Sequence, residues 1–125
     1  MSETATCQRV TFEIDGQPLP KQRPRVRNGR AYTPSKTRAY ESRVAWLARA
    51  EMGPREPMTG NVCVDLQFRR KGDRRADLDN MCKAVLDGLN GIVYNDDYQV
   101  TGITAGVEYG ARVPGVRVIC EEVKV

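Results

Sequence analysis

Between Val62 and Phe68 every second residue is apolar: Val62, Val64, Leu66 and Phe68 alternate with Cys63, Asp65 and Gln67. Successive side chains of a strand point to opposite faces, so this stretch reads as a strand with one face covered. Val10, Phe12 and Ile14 repeat the pattern and stop at Asp15-Gly16, a turn signal. Val100–Tyr109 and Val116–Glu122 read as two more strands, separated by Gly110 and Pro114-Gly115. Elsewhere the period changes. A helix is predicted from about Thr33-Pro34, as N-cap and first helical residue, to Glu51, before Gly53-Pro54. Tyr40, Val44, Leu47 and Ala48 form one apolar stripe on it; Ala39, Trp46 and Ala50 form a second, which either covers a core edge or meets a partner subunit. A second helix runs from about Leu78 to Asn90, closed by Gly91, with Leu78, Met81, Cys82, Val85 and Leu89 as its core face. The expectation is an α+β fold: two helices packed on one small mixed sheet, in a single domain spanning residues 1–125.

Hydrophobic residues make up 40% of the chain, and no run approaches the roughly 20 apolar residues of a membrane helix. Met1–Arg9 shows no signal-peptide pattern, so a soluble, cytoplasmic protein is expected. The chain carries a formal charge of +4, yet Lys21–Arg43 holds eight basic residues against Glu41 alone. Pro18, Pro20 and Pro24 keep the start of this segment extended, and Asn28-Gly29 is a hairpin turn signal. The segment thus reads as a basic N-terminal hairpin suited to a polyanion such as nucleic acid, or as a solvated charged loop. Arg69–Arg75 reads as a second basic loop.

There is no histidine, and Cys7, Cys63, Cys82 and Cys120 form no C-x-x-C pair. A Cys/His zinc site is therefore not expected. The last three cysteines lie in apolar patterns and read as buried thiols. Without histidine, hydrolytic chemistry must rest on carboxylates, lysine or metal-bound water.

The densest chemistry lies in Arg74-Arg75-Ala76-Asp77-Leu78-Asp79-Asn80-Met81-Cys82-Lys83. Asp79, Lys83 and Asp87 lie about 100°, 140° and 180° from Leu78 on the helical wheel, one polar stripe off the core face. Asp96 and Asp97 recur in the turn after the helix. Each has a plain reading: Asp77 or Asp79 as an N-cap, Asp79 with Lys83 as an i,i+4 pair, Asn95-Asp96-Asp97 as turn chemistry. Such readings leave unexplained why acids and a lysine cluster inside a basic neighbourhood. Bare carboxylates repel a phosphodiester, whereas carboxylates holding a hard divalent cation attract it and supply a water of lowered pKa. A nearby lysine stabilises developing charge, and Arg74 and Arg75 can grip flanking phosphates as forks.

The run Asp77-Leu78-Asp79-Asn80, then Lys83, Asp87 and Asp96-Asp97-Tyr98-Gln99-Val100, resembles the RusA-type Holliday junction resolvases. The leading Pro20-Lys21-Gln22-Arg23-Pro24-Arg25 through Tyr32-Thr33-Pro34 and Tyr40-Glu41 is similar to the phage-borne branch of that family. Tyr98 stands where a small residue is common in the motif. The resemblance runs from about Val10 to the last strand. It implies a homodimeric, Mg2+-dependent endonuclease, with Mn2+ as the alternative ion, that cuts four-way DNA junctions by paired nicks in recombination and repair. Asp77, Asp79 and Asp97 would be the metal-binding acids and Lys83 the catalytic lysine. Lys21, Arg23, Arg25, Arg27, Arg30, Arg74 and Arg75 would hold DNA phosphates. The rival expectations are a module that binds branched DNA without cutting it and a restriction-type metal nuclease. For the latter, Val64–Phe68 lacks the required E-x-K.

Overall fold

The computed structural model describes residues 8–22, 25–32 and 34–123. Cys7, Arg23, Pro24 and Thr33, together with the side chain of Arg25, lie outside the described residues. The expected α+β order holds. It runs β1 (Arg9–Asp15), β2 (Arg25–Arg27), β3 (Arg30–Tyr32), α1 (Ser35–Met52), β4 (Asn61–Arg70), α2 (Leu78–Leu89), a 3-10 turn (Asp97–Gln99), β5 (Val100–Tyr109) and β6 (Gly115–Val123).

Four strands form one mixed sheet in the order β1-β6-β4-β5. β6 pairs antiparallel with both β1 and β4, while β4 and β5 are parallel. A parallel pair needs a crossover rather than a hairpin, and α2 is that crossover. The alternation seen in the sequence becomes the two faces of the sheet. Val10, Phe12 and Ile14 of β1, Val62, Val64, Leu66 and Phe68 of β4, and Val116, Val118 and Cys120 of β6 enter one core with both helices. Each such Val or Leu side chain contributes about 1.5–3 kcal/mol on burial.

Parity also corrects an expectation. Cys82 and Cys120 are buried thiols, but Cys63 is exposed. It occupies the alternate set of β4 with Asp65 and Gln67, on the face the helices leave open. By the same parity Arg70 points inward. β4 continues through Arg69 and Arg70, so these two are not part of a basic loop as expected. Buried Arg70 donates to the Pro18 carbonyl at 2.6 Å, and Arg69 donates to Glu13 at 2.8 Å.

α1 packs on α2 at a seam where Gly88 meets Val44. A Cβ at Gly88 would lie 2.6 Å from the Val44 Cβ. Tyr40, Val44 and Ala48 are buried and Leu47 is partly buried, as the stripe predicts. Pro34 sits at the N-cap position rather than the first helical one, with no side-chain cap. Trp46 is 68% exposed, so within this chain it covers no core edge. The hairpin β2–β3 pairs Arg25 with Tyr32 and Arg27 with Arg30. Its turn needs positive φ at both central residues, and Asn28 and Gly29 adopt 53° and 76°. Its described side chains are exposed, Val26 included at 73%. Among the described residues, no helix is long and apolar enough to cross a membrane.

Candidate acid–lysine site

α2 is capped by Asp77, whose carboxylate accepts from the Asn80 N–H and from the Asn80 side-chain amide, both at 3.3 Å. The N-cap role read from the sequence is thus realised, and it holds the first turn of α2 by about 1 kcal/mol. One turn on, Asp79 faces Lys83 across 3.6 Å as an i,i+4 pair, both largely exposed. Solvent screening leaves that pair worth only a few tenths of a kcal/mol. It therefore sets orientation more than stability.

The second acidic stretch is held more firmly. Asp96 caps the 3-10 turn by accepting from the Asp97 N–H at 2.6 Å. Gln99 completes the cap from the other side. Its side-chain oxygen accepts from the Asn95 N–H at 2.7 Å and the Asp96 N–H at 2.9 Å. Its amide donates to the carbonyls of Met58 at 2.7 Å and Gly60 at 3.0 Å. Gln99 is 5% exposed with all four of these bonds formed, so the turn that presents Asp97 is pinned from beneath. Tyr94, fully buried just before it, donates its hydroxyl to the Leu86 carbonyl at 2.9 Å and fastens the turn to α2.

The middle of α2 and the Asp97 turn meet at a pocket of about 260 Å³ lined by Lys83, Leu86, Asp87, Tyr94, Asp97, Val100 and Ile103. Asp97 and Lys83 are thereby brought together, with Asp87 as a neighbour that the motif did not mark for a role. Asp77 and Asp79 stand outside the pocket lining; Asp79 is linked to it through Lys83. Partial desolvation, then the nearby carboxylates of Asp87 and Asp96, hold the Asp97 carboxyl above its ordinary pKa, opposed by the Lys21 ammonium. Tyr98, next to Asp97, is 79% exposed.

Among the described residues no three acidic or thiol side chains are placed to hold one metal ion. The donor chemistry nevertheless fits a hard cation. The donors exposed on α2 and the Asp97 turn are carboxylate oxygens, and burial holds the Cys82 and Cys120 thiols above their ordinary pKa.

The basic residues divide into two groups. Arg27 and Arg30 are exposed on the hairpin. Arg74 and Arg75 are exposed in the loop before α2, with Arg75 laid over the Tyr109 ring at 4.4 Å. Tyr109 in turn accepts from the Ala76 N–H at 3.1 Å, so Arg75 stands on a fixed base. Lys21 differs. Its ammonium pairs with Asp87 and lies 3.2 Å from Glu41, within the fold. Sequence reasoning did not find this triad. Asp87 on the polar stripe was its one visible sign.

The scaffold thus carries an acid–lysine pocket together with exposed arginines on the hairpin and in the loop before α2. The family model described as Endodeoxyribonuclease RusA matches residues 15–121. The chain belongs to the RusA endodeoxyribonuclease family. A protein of Bacillus subtilis (strain 168), uncharacterized protein YqaN, is 29% identical over 139 residues, covering 91% of this chain and 96% of the relative.

Proposed function

We propose that this chain is a divalent-metal-dependent endonuclease that resolves four-way DNA junctions. The observation that carries the reading is the position of Lys83, which faces Asp79 at 3.6 Å and lines the same pocket as Asp97. It is paired with one acidic stretch and shares a pocket with the other. Asp77, Asp79 and Asp97 would hold Mg2+ (or Mn2+), which when bound relieves the charge of the scissile phosphate and supplies an activated water. Lys83 stabilises the charge that develops on the phosphate oxygens. Arg74 and Arg75 hold the phosphates flanking the cut, and Arg23, Arg25, Arg27 and Arg30 hold the backbone of an adjoining arm. Selectivity comes from the shape of the junction more than from base edges.

Two copies of the chain acting as a homodimer would place one site on each of two strands, giving paired nicks. The solvent-exposed Trp46 stripe of α1 is available to such a contact. Recombination and repair in a bacterial or phage-infected cytoplasm are where such junctions arise.

The test is a labelled four-way junction incubated with pure protein and Mg2+, compared with linear duplex of the same sequence. Symmetric nicks in the junction and not in the duplex are expected. Tight binding without nicks at any divalent ion tried would leave a branched-DNA-binding module instead.

A further inference from the structure

Lys21 leads into the basic hairpin, but its backbone is clamped to the core. The Lys21 N–H donates to the Asn80 carbonyl of α2 at 2.9 Å, and the Gln22 N–H donates to the Thr37 hydroxyl of α1 at 3.2 Å. Two residues before Pro20, the Pro18 carbonyl is held by buried Arg70. The Lys21 side chain, 28% exposed, lies between Asp87 of α2 and Glu41 of α1. A lysine held by two carboxylates must give up both contacts to reach a phosphate.

Asp87 explains why it is held. Asp79, Lys83 and Asp87 follow one another at four-residue spacing, so either acid can reach Lys83. Asp87 also lines the pocket with Asp97. A free Asp87 would draw Lys83 away from Asp79 and offer an incoming cation a further carboxylate at the pocket.

We propose that Lys21 is a positioning residue of the acid site rather than a phosphate contact: it occupies Asp87, so that Lys83 stays with Asp79 and Asp87 stays out of the cation-holding set. This rests on the endonuclease reading above and assigns to the root of the basic segment a task inside the site.

The experiment compares wild type, Lys21→Met and Lys21→Met/Asp87→Asn in three measurements: Mn2+ affinity by electron paramagnetic resonance, junction affinity across a salt series in Ca2+, and single-turnover cleavage of prebound junction. Lys21→Met should leave the salt slope unchanged. It should raise Mn2+ affinity roughly three- to tenfold, because a fixed positive charge is gone and a carboxylate is freed. Cleavage of bound junction should fall roughly tenfold or more through misplacement of Lys83. Adding Asp87→Asn should return both values toward wild type, which loss of a merely structural ion pair would not do. A salt slope lowered by about one unit, with cleavage of bound junction intact, would make Lys21 a phosphate contact and overturn the proposal. Should Lys21→Met fail to fold, Asp87→Asn alone decides. Mn2+ affinity within about twofold of wild type supports the proposal, and a loss near tenfold, as for a lost ligand, refutes it. Wild type that binds junction but never nicks it sinks the endonuclease reading, while the Mn2+ and salt measurements still judge Lys21; wild type that binds no Mn2+ sinks both.

Discussion

A carboxylate that faces a lysine across 3.6 Å on an exposed helix gains little stability from the pair, so removing its charge should leave the fold intact. Asp79→Asn is therefore a clean probe. It should lower junction cleavage about a hundredfold or more while preserving, or slightly tightening, junction binding, since one repulsive charge is lost. Band-shift and cleavage assays on the same preparation check this; binding lost with cleavage per bound complex intact would contradict the role. A second residue-scale prediction concerns Cys120. Burial pushes its thiol from the ordinary 9.0 up to about 12. The folded state thus holds this proton more tightly than the unfolded chain does. Its contribution to stability is complete below pH 9.0 and is lost as pH rises toward about 12. Cys120→Ala should flatten the fall of the urea midpoint across that window, with Tyr40, also pushed up to about 12 by burial, supplying part of the remaining slope. An unaltered slope would contradict it.

At the scale of elements, the seam between the helices rests on a missing side chain. A methyl at Gly88 would collide with Val44 at 2.6 Å, so Gly88→Ala should destabilise the fold by about 1–3 kcal/mol despite the better helix propensity of alanine. Denaturant titration measures this, and a stabilised variant would show that the helices can part freely. The hairpin is a separate unit. Replacing Arg27 and Arg30 by Ala should weaken junction binding and flatten its salt slope by roughly 1–2 units without lowering the melting temperature. An unchanged slope would place the hairpin off the DNA.

These elements also mark how far the sequence could be read. Strand parity and helix periodicity are local properties, so β1, β4, α2 and the Asn28-Gly29 hairpin were legible from spacing alone. Parity applied strictly would also have exposed Cys63 and turned Arg70 inward; composition misled at both positions. The partners of Lys21 were not legible. The Lys21–Asp87 pair joins residues 66 positions apart, and only the docking of the segment before β2 onto α2 creates it. Gln99 could be seen in the motif, and its bonds from the Asn95 and Asp96 N–H groups are a local cap, but those to the Met58 and Gly60 carbonyls belong to the assembled fold.

For the molecule as a whole, a sheet covered on one face by two helices gives a rigid plate. The same scaffold carries the α2 acids, the pinned Asp97 turn and the exposed arginines. The central claim is that carboxylates from both stretches hold one divalent cation beside Lys83. Anomalous diffraction from crystals of the protein grown with Mn2+ tests it most directly. A single strong peak bonded to Asp97 and to Asp77 or Asp79, with the Lys83 ammonium alongside, is the predicted result. A peak elsewhere, or none at Mn2+ concentrations that support cleavage, would contradict the account.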